Sequence, residues 1–211
     1  MDKAYQTYLK IIGVILSLYL FLVGIKGLSS GIKNLGGDFA KEIMSTTSDP
    51  FFALFIGILA TTLFQSSSTT TSLIVGMVSG GGLSLSGAIP MIMGANIGTT
   101  VTNTIVSLGH VNRENEFRRA FAASTIHDFF NVLAVLILFP IEITFGILEK
   151  SATGLGNLLF GKVSADEVFD SPIKTAIKWG AKQIEALSFD NTGLLILFSI
   201  CLLYTSDAAD E

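Results

Sequence analysis

The feature that most constrains this chain is a long stretch without charge. Between Asp49 and Arg113 there is no Asp, Glu, Lys or Arg, and the centre of the stretch, residues 64–72, reads FQSSSTTTS between apolar flanks. A soluble surface would carry charges over such a length, and a helix that faces only lipid has no use for consecutive hydroxyls. Polar side chains at membrane depth are costly, so they usually line a cavity or a substrate path. The stretch therefore indicates a membrane protein that handles a small hydrophilic solute.

The composition agrees with a membrane protein and excludes several other classes. Half of the residues are apolar, 14% are charged and 21 are glycine, which is typical of closely packed membrane helices. The net charge of −4 includes no basic stripe, so we expect no nucleic-acid partner. A single cysteine, Cys201, excludes an internal disulfide and a cysteine-based metal cluster. Without a nucleophile–base pair or a cofactor motif, we expect no enzyme, no catalytic residues and no cofactor.

The hydropathy pattern predicts several membrane passes. At about 20 residues per span, the length allows five or six. Residues 11–28 and 121–148 are long apolar runs that we predict to be spanning helices, and residues 31–44 have the pattern of an amphipathic interfacial helix. Residues 151–191 are predicted to be a long loop with one amphipathic piece around residues 173–187. The cluster NRENEFRR at residues 112–119 contains three arginines, which favours the cytoplasmic side.

Two further segments do not fit simple spans. Residues 51–64 are apolar but short, which is typical of a re-entrant segment, and residues 73–78 resume the apolar run, so residues 65–72 would lie at or beside the tip of a hairpin. Residues 83–93 and 101–108 are separated by GANIGTT, a pattern typical of a discontinuous membrane helix. Asn96 is as consistent with capping the half-helix that begins at Ile97 as with binding a ligand. The predicted fold class is an all-α membrane protein with a re-entrant hairpin and a broken helix.

The hydroxyl-rich centre suits two kinds of ion. Na⁺ is a hard cation that carbonyl, amide and hydroxyl oxygens satisfy. An oxyanion needs N–H groups and hydroxyl protons, which helix N-termini supply. Side chains from Gln65 to Thr69 can serve both, because a hydroxyl donates in one direction and accepts in the other. Serine and threonine in membrane helices also bond back to their own helix or join neighbouring helices, so the residues alone leave both interpretations open.

Three sequence blocks resemble a known family. QSSSTTTS at residues 65–72 resembles the signature of the type II sodium-dependent phosphate cotransporters (Na/Pi symporters), and AIPMIMGANIGTTVTNTIV at residues 88–106 is similar to the family's next block. EFRRAF at 116–121 and TIHDFFN at 125–131 resemble its third block. The resemblance covers residues 11–200. It implies two inverted repeats, each with a QSSS hairpin, of which this chain is the first; residues 1–200 would be the N-terminal repeat and the missing second repeat its partner.

The resemblance also implies a function. We expect sodium-coupled symport of inorganic phosphate by alternating access in the plasma (inner) membrane, with Na⁺ as the coupling ion and the lipid bilayer as surroundings. The implied substrate and sodium site, including the possible Na⁺ ligands, consists of Gln65, Ser66, Ser67 and Ser68. Weaker candidates near the broken helix are Thr69, Asn96, Thr99, Thr100 and Asn103. The alternative is a passive channel-like or helix-packing membrane subunit, which sodium dependence of uptake would distinguish.

Three smaller features lie outside this site. Asp128 and His127 form a titratable pair beside an apolar run, either as a cation or proton site or as an interfacial pair at a helix start, and we favour the second. Glu142 is predicted to be an interfacial cap, and residues 80–82 a turn rather than a phosphate cradle.

The C-terminal residues have an unusual composition. Residues 193–203 begin a further helix with too few apolar residues to cross a bilayer, and CLLYTSDAADE at residues 201–211 resembles a translated sequencing adapter. We therefore predict that residues 201–211, with Cys201, are a non-native tail.

Overall fold

The structure is a computed structural model that describes residues 3–160, 172–189 and 191–208. All regular secondary structure in these residues is helical, which confirms the predicted all-α class. The helices are α1 (Lys3–Asn34), α2 (Gly37–Thr47), α3 (Pro50–Phe64), α4 (Ser67–Gly80), α5 (Leu85–Leu108), α6 (Glu114–Phe145), α7 (Ile147–Phe160), α8 (Pro172–Leu187) and α9 (Thr192–Ala208).

Two of the described helices are long and apolar enough to cross a membrane. They are Lys10–Asn34 within α1 and Glu114–Phe145, which is α6; α2 and α3, bent by 104° at their junction, would make a third if taken as one broken or re-entrant span. The run predicted at residues 11–28 therefore lies in α1, and the run predicted at residues 121–148 lies in α6 except for its last three residues. The interfacial helix predicted at residues 31–44 is shifted to α2, because Gly36, with φ +91°, separates α1 from it.

The chain divides into two compact units. The first consists of Met1–Lys41, Val75–Gly82 and Val168–Glu211. In it, α9 packs antiparallel to α1: the Ser17 hydroxyl donates to the Ser206 carbonyl at 3.2 Å, while further along α1 a Cβ on Gly31 would meet the Ile196 side chain at 2.7 Å. Val23, Ile184 and Leu195 form a buried cluster that joins α1, α8 and α9.

The second unit, Glu42–Ile74 and Leu83–Glu167, is organised by the close packing of α3 against α5. A Cβ on Gly57 would lie 2.0 Å from the Met91 carbonyl oxygen, and one on Gly94 would lie 2.0 Å from that of Leu54. Two helix backbones come this close only when small residues occupy the contact. Contact positions rise together along both helices, so α3 and α5 run in the same direction.

The predicted broken helix is wrong. Helix α5 continues from Leu85 to Leu108 through the whole GANIGTT segment, with Pro90 inside it. Gly94 and Gly98 do not interrupt the helix; they provide the surface on which α3 packs. The predicted capping role of Asn96 is wrong for the same reason, because Asn96 lies in the interior of a helix and not at its start.

Four other predictions concern where the helices begin and end and how they are capped or connected. Of residues 65–72, predicted to lie at or beside a hairpin tip, only Gln65 and Ser66 lie between α3 and α4, and the others belong to α4. Part of the loop predicted at residues 151–191 is helix α7, and residues 161–171 lie outside the described residues. The amphipathic piece predicted around residues 173–187 is confirmed as α8.

Glu142 is confirmed as a cap, because its carboxylate accepts the backbone N–H groups of Leu148 at 2.6 Å and Glu149 at 3.0 Å. The turn at residues 80–82 is confirmed by Gly81, with φ +76°.

A topology experiment can test the span assigned to α6. At 1.5 Å per residue, its 32 residues are longer than the ~30 Å hydrocarbon layer. We expect Asn115→Cys, beside the arginine cluster, to react with an impermeant thiol reagent from the cytoplasmic side, and Asn157→Cys on α7 to react from the opposite side. The measurement is labelling in oriented vesicles with Cys201→Ser as background. Reaction of both positions from one side would rule out a single span between them.

Candidate functional site

The turn between α3 and α4 occupies the centre of the hydroxyl-rich segment. Gln65 ends α3 in the left-handed conformation, with φ 56° and ψ 18°, and its N–H donates to the Thr61 carbonyl at 2.7 Å. Ser66 then caps the start of α4, since its hydroxyl oxygen accepts the N–H of Thr69 at 3.1 Å. A left-handed conformation is uncommon for a residue other than glycine, and such conformations concentrate at functional sites.

The start of α4 presents groups that the protein itself does not use. In an α-helix the first N–H groups have no intrahelical acceptor, which here leaves the backbone N–H groups of Ser67 and Ser68. In the part of the chain that the structure describes, the side chains of Gln65, Ser67 and Ser68 have no hydrogen-bond partner. Gln65 and Ser68 are also exposed. N–H groups, hydroxyls and the helix dipole together suit the binding of an oxyanion.

Other hydroxyls of the segment are already hydrogen-bonded within their own helices. Ser72 donates to the Ser68 carbonyl at 2.7 Å, and Thr70 donates to that of Ser66 at 2.9 Å. On α5, Thr99 donates to Ala95 at 3.1 Å and Thr100 to Ile97 at 2.7 Å. The buried hydroxyls among them are those of Thr70, Ser72 and Thr100, and Thr69 is buried as well. A hydroxyl that donates its proton inward can still accept, so these groups remain suitable for a cation but not as donors to an anion.

The parallel packing of α3 and α5 brings the two predicted segments to the same end of the second unit. Gly98 lies against Thr61, with 2.7 Å from an added Cβ to the Thr61 Cβ. Gln65 lies one helical turn beyond Thr61, and residue 102 lies one helical turn beyond Gly98. The α3–α4 connection at Gln65 is therefore level with the C-terminal half of α5. The exposed Asn96 and Asn103 lie on this part of α5.

Helix α6 adds polar groups along the same part of α5. The Asn131 amide donates to the Asn96 carbonyl at 3.2 Å, and the Asn103 amide lies 3.5 Å from His127 Nδ1. The Thr104 hydroxyl donates to Asp128 Oδ2. These contacts form a row of polar interactions between two otherwise apolar helices, and sequence reasoning did not identify Thr104 or Asn131.

Asp128 lies deep inside α6, roughly four turns from its start at Glu114. The favoured interpretation of Asp128 and His127 as a helix-start pair is therefore wrong, because α6 begins well before them. Asp128 Oδ1 is buried without a hydrogen-bond partner, and the same is true of one other side-chain atom among the described residues, Thr61 Oγ1. Such atoms call for an explanation, for example an ion. Carboxylate and hydroxyl oxygens are ligands of hard cations. In the sequence, the signal for a cation site was a carboxylate within a run predicted to span the membrane.

A site for a transition metal finds no support here. The described residues contain no group of three or more His, Cys, Asp or Glu side chains that could hold a metal ion. The contacts between α5 and α6 involve mainly carboxylate, hydroxyl and amide groups, which suit a hard cation such as Na⁺.

Comparison with known proteins places these residues in a family. The model of the Na+/Pi-cotransporter family matches residues 20–162. Human sodium-dependent phosphate transport protein 2B is 51% identical over 135 residues, which cover 63% of this chain and 20% of the relative. The 2A proteins of Ovis aries and Rattus norvegicus are 49% and 52% identical and cover 70% and 65% of this chain.

The matches cover only part of the length of each relative. This chain spans about a fifth to a quarter of the length of the curated relatives it matches. No solved structure matches the chain. The matched residues include the turn at Gln65, all of α5 and Asp128 on α6, and more than half of the sequence lies within the match. The chain belongs to the Na+/Pi-cotransporter family.

Proposed function

We propose that this chain is part of a sodium-coupled symporter of inorganic phosphate, a transporter and not an enzyme. The observation that carries the proposal is the left-handed turn at Gln65. After this turn, Ser67 and Ser68 at the start of α4 have free backbone N–H and hydroxyl groups. The relatives are sodium-dependent phosphate transport proteins, and their names identify the anion as phosphate and the cation as Na⁺. The turn has the donors that a phosphate group requires, and it lies within the residues that match the family.

The two ions would bind to different groups. Phosphate would accept hydrogen bonds from Ser67 and Ser68, with Gln65 and Ser66 at the edge of the site and Thr69 beneath it. Na⁺ would bind at the buried Oδ1 of Asp128, where the charge of the carboxylate is otherwise uncompensated. Thr61, Thr99 and Thr100 have oxygens that remain available to a cation. Asn96 and Asn103 would support the site from α5.

The whole transporter would contain more than these helices. We propose two inverted repeats with alternating access, this chain contributing the N-terminal one as an integral protein of the plasma membrane. The segment α3–α4 would enter the membrane as a re-entrant hairpin. The short length of α3 and the 104° bend that precedes it support this assignment. The second repeat would supply the remaining ligands, and residues 201–211 would not belong to the native protein.

Serine substitutions test the phosphate site. We expect Ser68→Ala to lower Na⁺-driven phosphate uptake by roughly tenfold, because a lost hydrogen bond leaves the anion unpaired at ~1–3 kcal/mol. Ser72→Ala is the matched control, because its hydroxyl lies one turn further along α4 and bonds to the Ser68 carbonyl. The measurement is radiolabelled phosphate uptake by vesicles that contain the full-length protein at equal membrane expression. Equal uptake by both variants would contradict the assignment of Ser68.

A further inference from the structure

Helix α8 packs lengthwise along α1 within the first unit. The Tyr19 hydroxyl donates to the Ala176 carbonyl at 3.0 Å. A Cβ on Gly180 would lie 2.5 Å from the Tyr19 hydroxyl oxygen and 2.7 Å from Val23 Cγ2, and one on Gly27 would lie 4.0 Å from Ile184 Cδ1. The contact positions rise together along both helices, so α8 runs parallel to α1 over residues 176–184.

If the candidate span Lys10–Asn34 crosses the membrane, this contact places α8 at the depth of the membrane interior. Residues 19–27 of α1 occupy the middle of the candidate span Lys10–Asn34. At 1.5 Å per residue they cover roughly 12 Å around its centre. An amphipathic helix beside the middle of a span differs from an interfacial helix, because its polar side cannot lie among lipid headgroups.

The polar side of α8 carries positive charge. Lys178 and Lys182 are exposed and lie one turn apart, on the side turned away from α1, whereas Ala181 and Ile184 are buried. Glu185 shares this side, but no carboxylate among the described residues lies within 4.0 Å of either lysine. A lysine exposed to lipid at the centre of a bilayer is strongly unfavourable. Contact with lipid is therefore the least favourable environment for this face.

We propose that the face formed by Lys178 and Lys182 lines a water-filled passage for small oxyanions in the assembled transporter. Side chains four residues apart on a helix have Cβ atoms about 5–6 Å apart, so the two ammonium groups can contact one tetrahedral oxyanion. Hydration supplies the solvation that lipid would not, and the excess of positive charge attracts anions. The identification of this oxyanion as phosphate rests on the proposed function. The existence of the passage does not depend on that function.

Thiol labelling tests the passage without depending on transport. In the full-length protein with its native cysteines replaced by serine, Lys178→Cys and Lys182→Cys should react with the negatively charged, impermeant reagent methanethiosulfonate ethylsulfonate. We expect rates roughly tenfold above those of Ala181→Cys and Ile184→Cys, because only the first pair faces water and the remaining lysine concentrates anions. Inorganic phosphate should slow the reaction, whereas gluconate at equal ionic strength should not.

Different outcomes overturn different parts of the proposal. Reaction with only a lipid-soluble maleimide would mean that the face contacts lipid, and no reaction with either reagent would mean that protein covers it; both overturn the passage. Fast labelling without protection by phosphate would overturn the oxyanion site.

Substitutions that retain length and polarity provide a readout in the folded transporter. Lys178→Gln with Lys182→Gln should raise KM for phosphate several-fold and leave KM for Na⁺ unchanged. Fast, phosphate-sensitive labelling in a protein without Na⁺-coupled uptake would overturn the proposed function alone.

Discussion

Asp128→Asn is expected to remove most Na⁺-dependent phosphate uptake at low Na⁺ concentration. Asp128 Oδ1 is buried without a partner, while Oδ2 accepts the Thr104 hydroxyl. The amide of an asparagine can still accept from Thr104, so the substitution removes the charge with little change in shape. If Na⁺ neutralises that charge, its apparent affinity should fall by about tenfold or more, since hydrogen bonds and contacts of charged groups are each worth ~1.5–3 kcal/mol. The measurement is uptake against Na⁺ concentration.

A second carboxylate provides the control for this prediction. Asp38 is exposed on α2 and lies 3.7 Å from Lys41 in a surface ion pair. Such pairs contribute little, so Asp38→Asn should leave the Na⁺ curve unchanged. An unchanged Na⁺ curve for Asp128→Asn at normal expression would show that this carboxylate only joins α5 to α6.

Gly94→Ala is expected to destabilise the second unit strongly. The added Cβ would lie 2.0 Å from the Leu54 carbonyl oxygen and 3.0 Å from the Ile58 backbone nitrogen, so α3 must move away from α5. Overpacking of this kind costs ~1–3 kcal/mol or more, which corresponds to a fall in Tm of roughly 5–10 °C. The displacement of α3 would also move the Gln65 turn, so phosphate uptake should fall with stability. The measurement is thermal unfolding of the purified protein in detergent.

Another helical glycine gives the opposite expectation. Gly156 on α7 has open space around an added Cβ. Since alanine has the higher helix propensity, Gly156→Ala should leave Tm unchanged or raise it slightly. A Tm for Gly94→Ala equal to that of Gly156→Ala would show that the close approach of α3 and α5 does not stabilise the protein.

Patterns that depend on neighbours along the chain were predicted correctly from the sequence. The apolar runs in α1 and α6, the amphipathic period of α8 and the short apolar helix α3 were all visible without a structure. So were the turn at Gly81 and the cap at Glu142. The location of the hydroxyl-rich turn was also evident, because an uncharged polar run between apolar segments is conspicuous in the sequence alone.

Predictions failed where a residue has two possible roles and a distant partner selects between them. Gly94 and Gly98 weaken a helix when considered alone, but close packing against α3 stabilises α5 as one continuous helix. The sequence likewise does not distinguish the hydroxyl of Thr99, which bonds back to Ala95, from that of Ser68, which remains free. Both belong to the same kind of polar segment.

By itself, the sequence determined the helical class, the family and the segment that carries the candidate phosphate site, because each follows from residue types in local order. Only the tertiary structure showed that the buried oxygens of Asp128 and Thr61 lie on helices that pack against α5. It also showed that α8, which carries the two lysines, lies beside the middle of α1. Burial and membrane depth depend on contacts between residues far apart in the chain, and periodicity along a single helix does not contain that information.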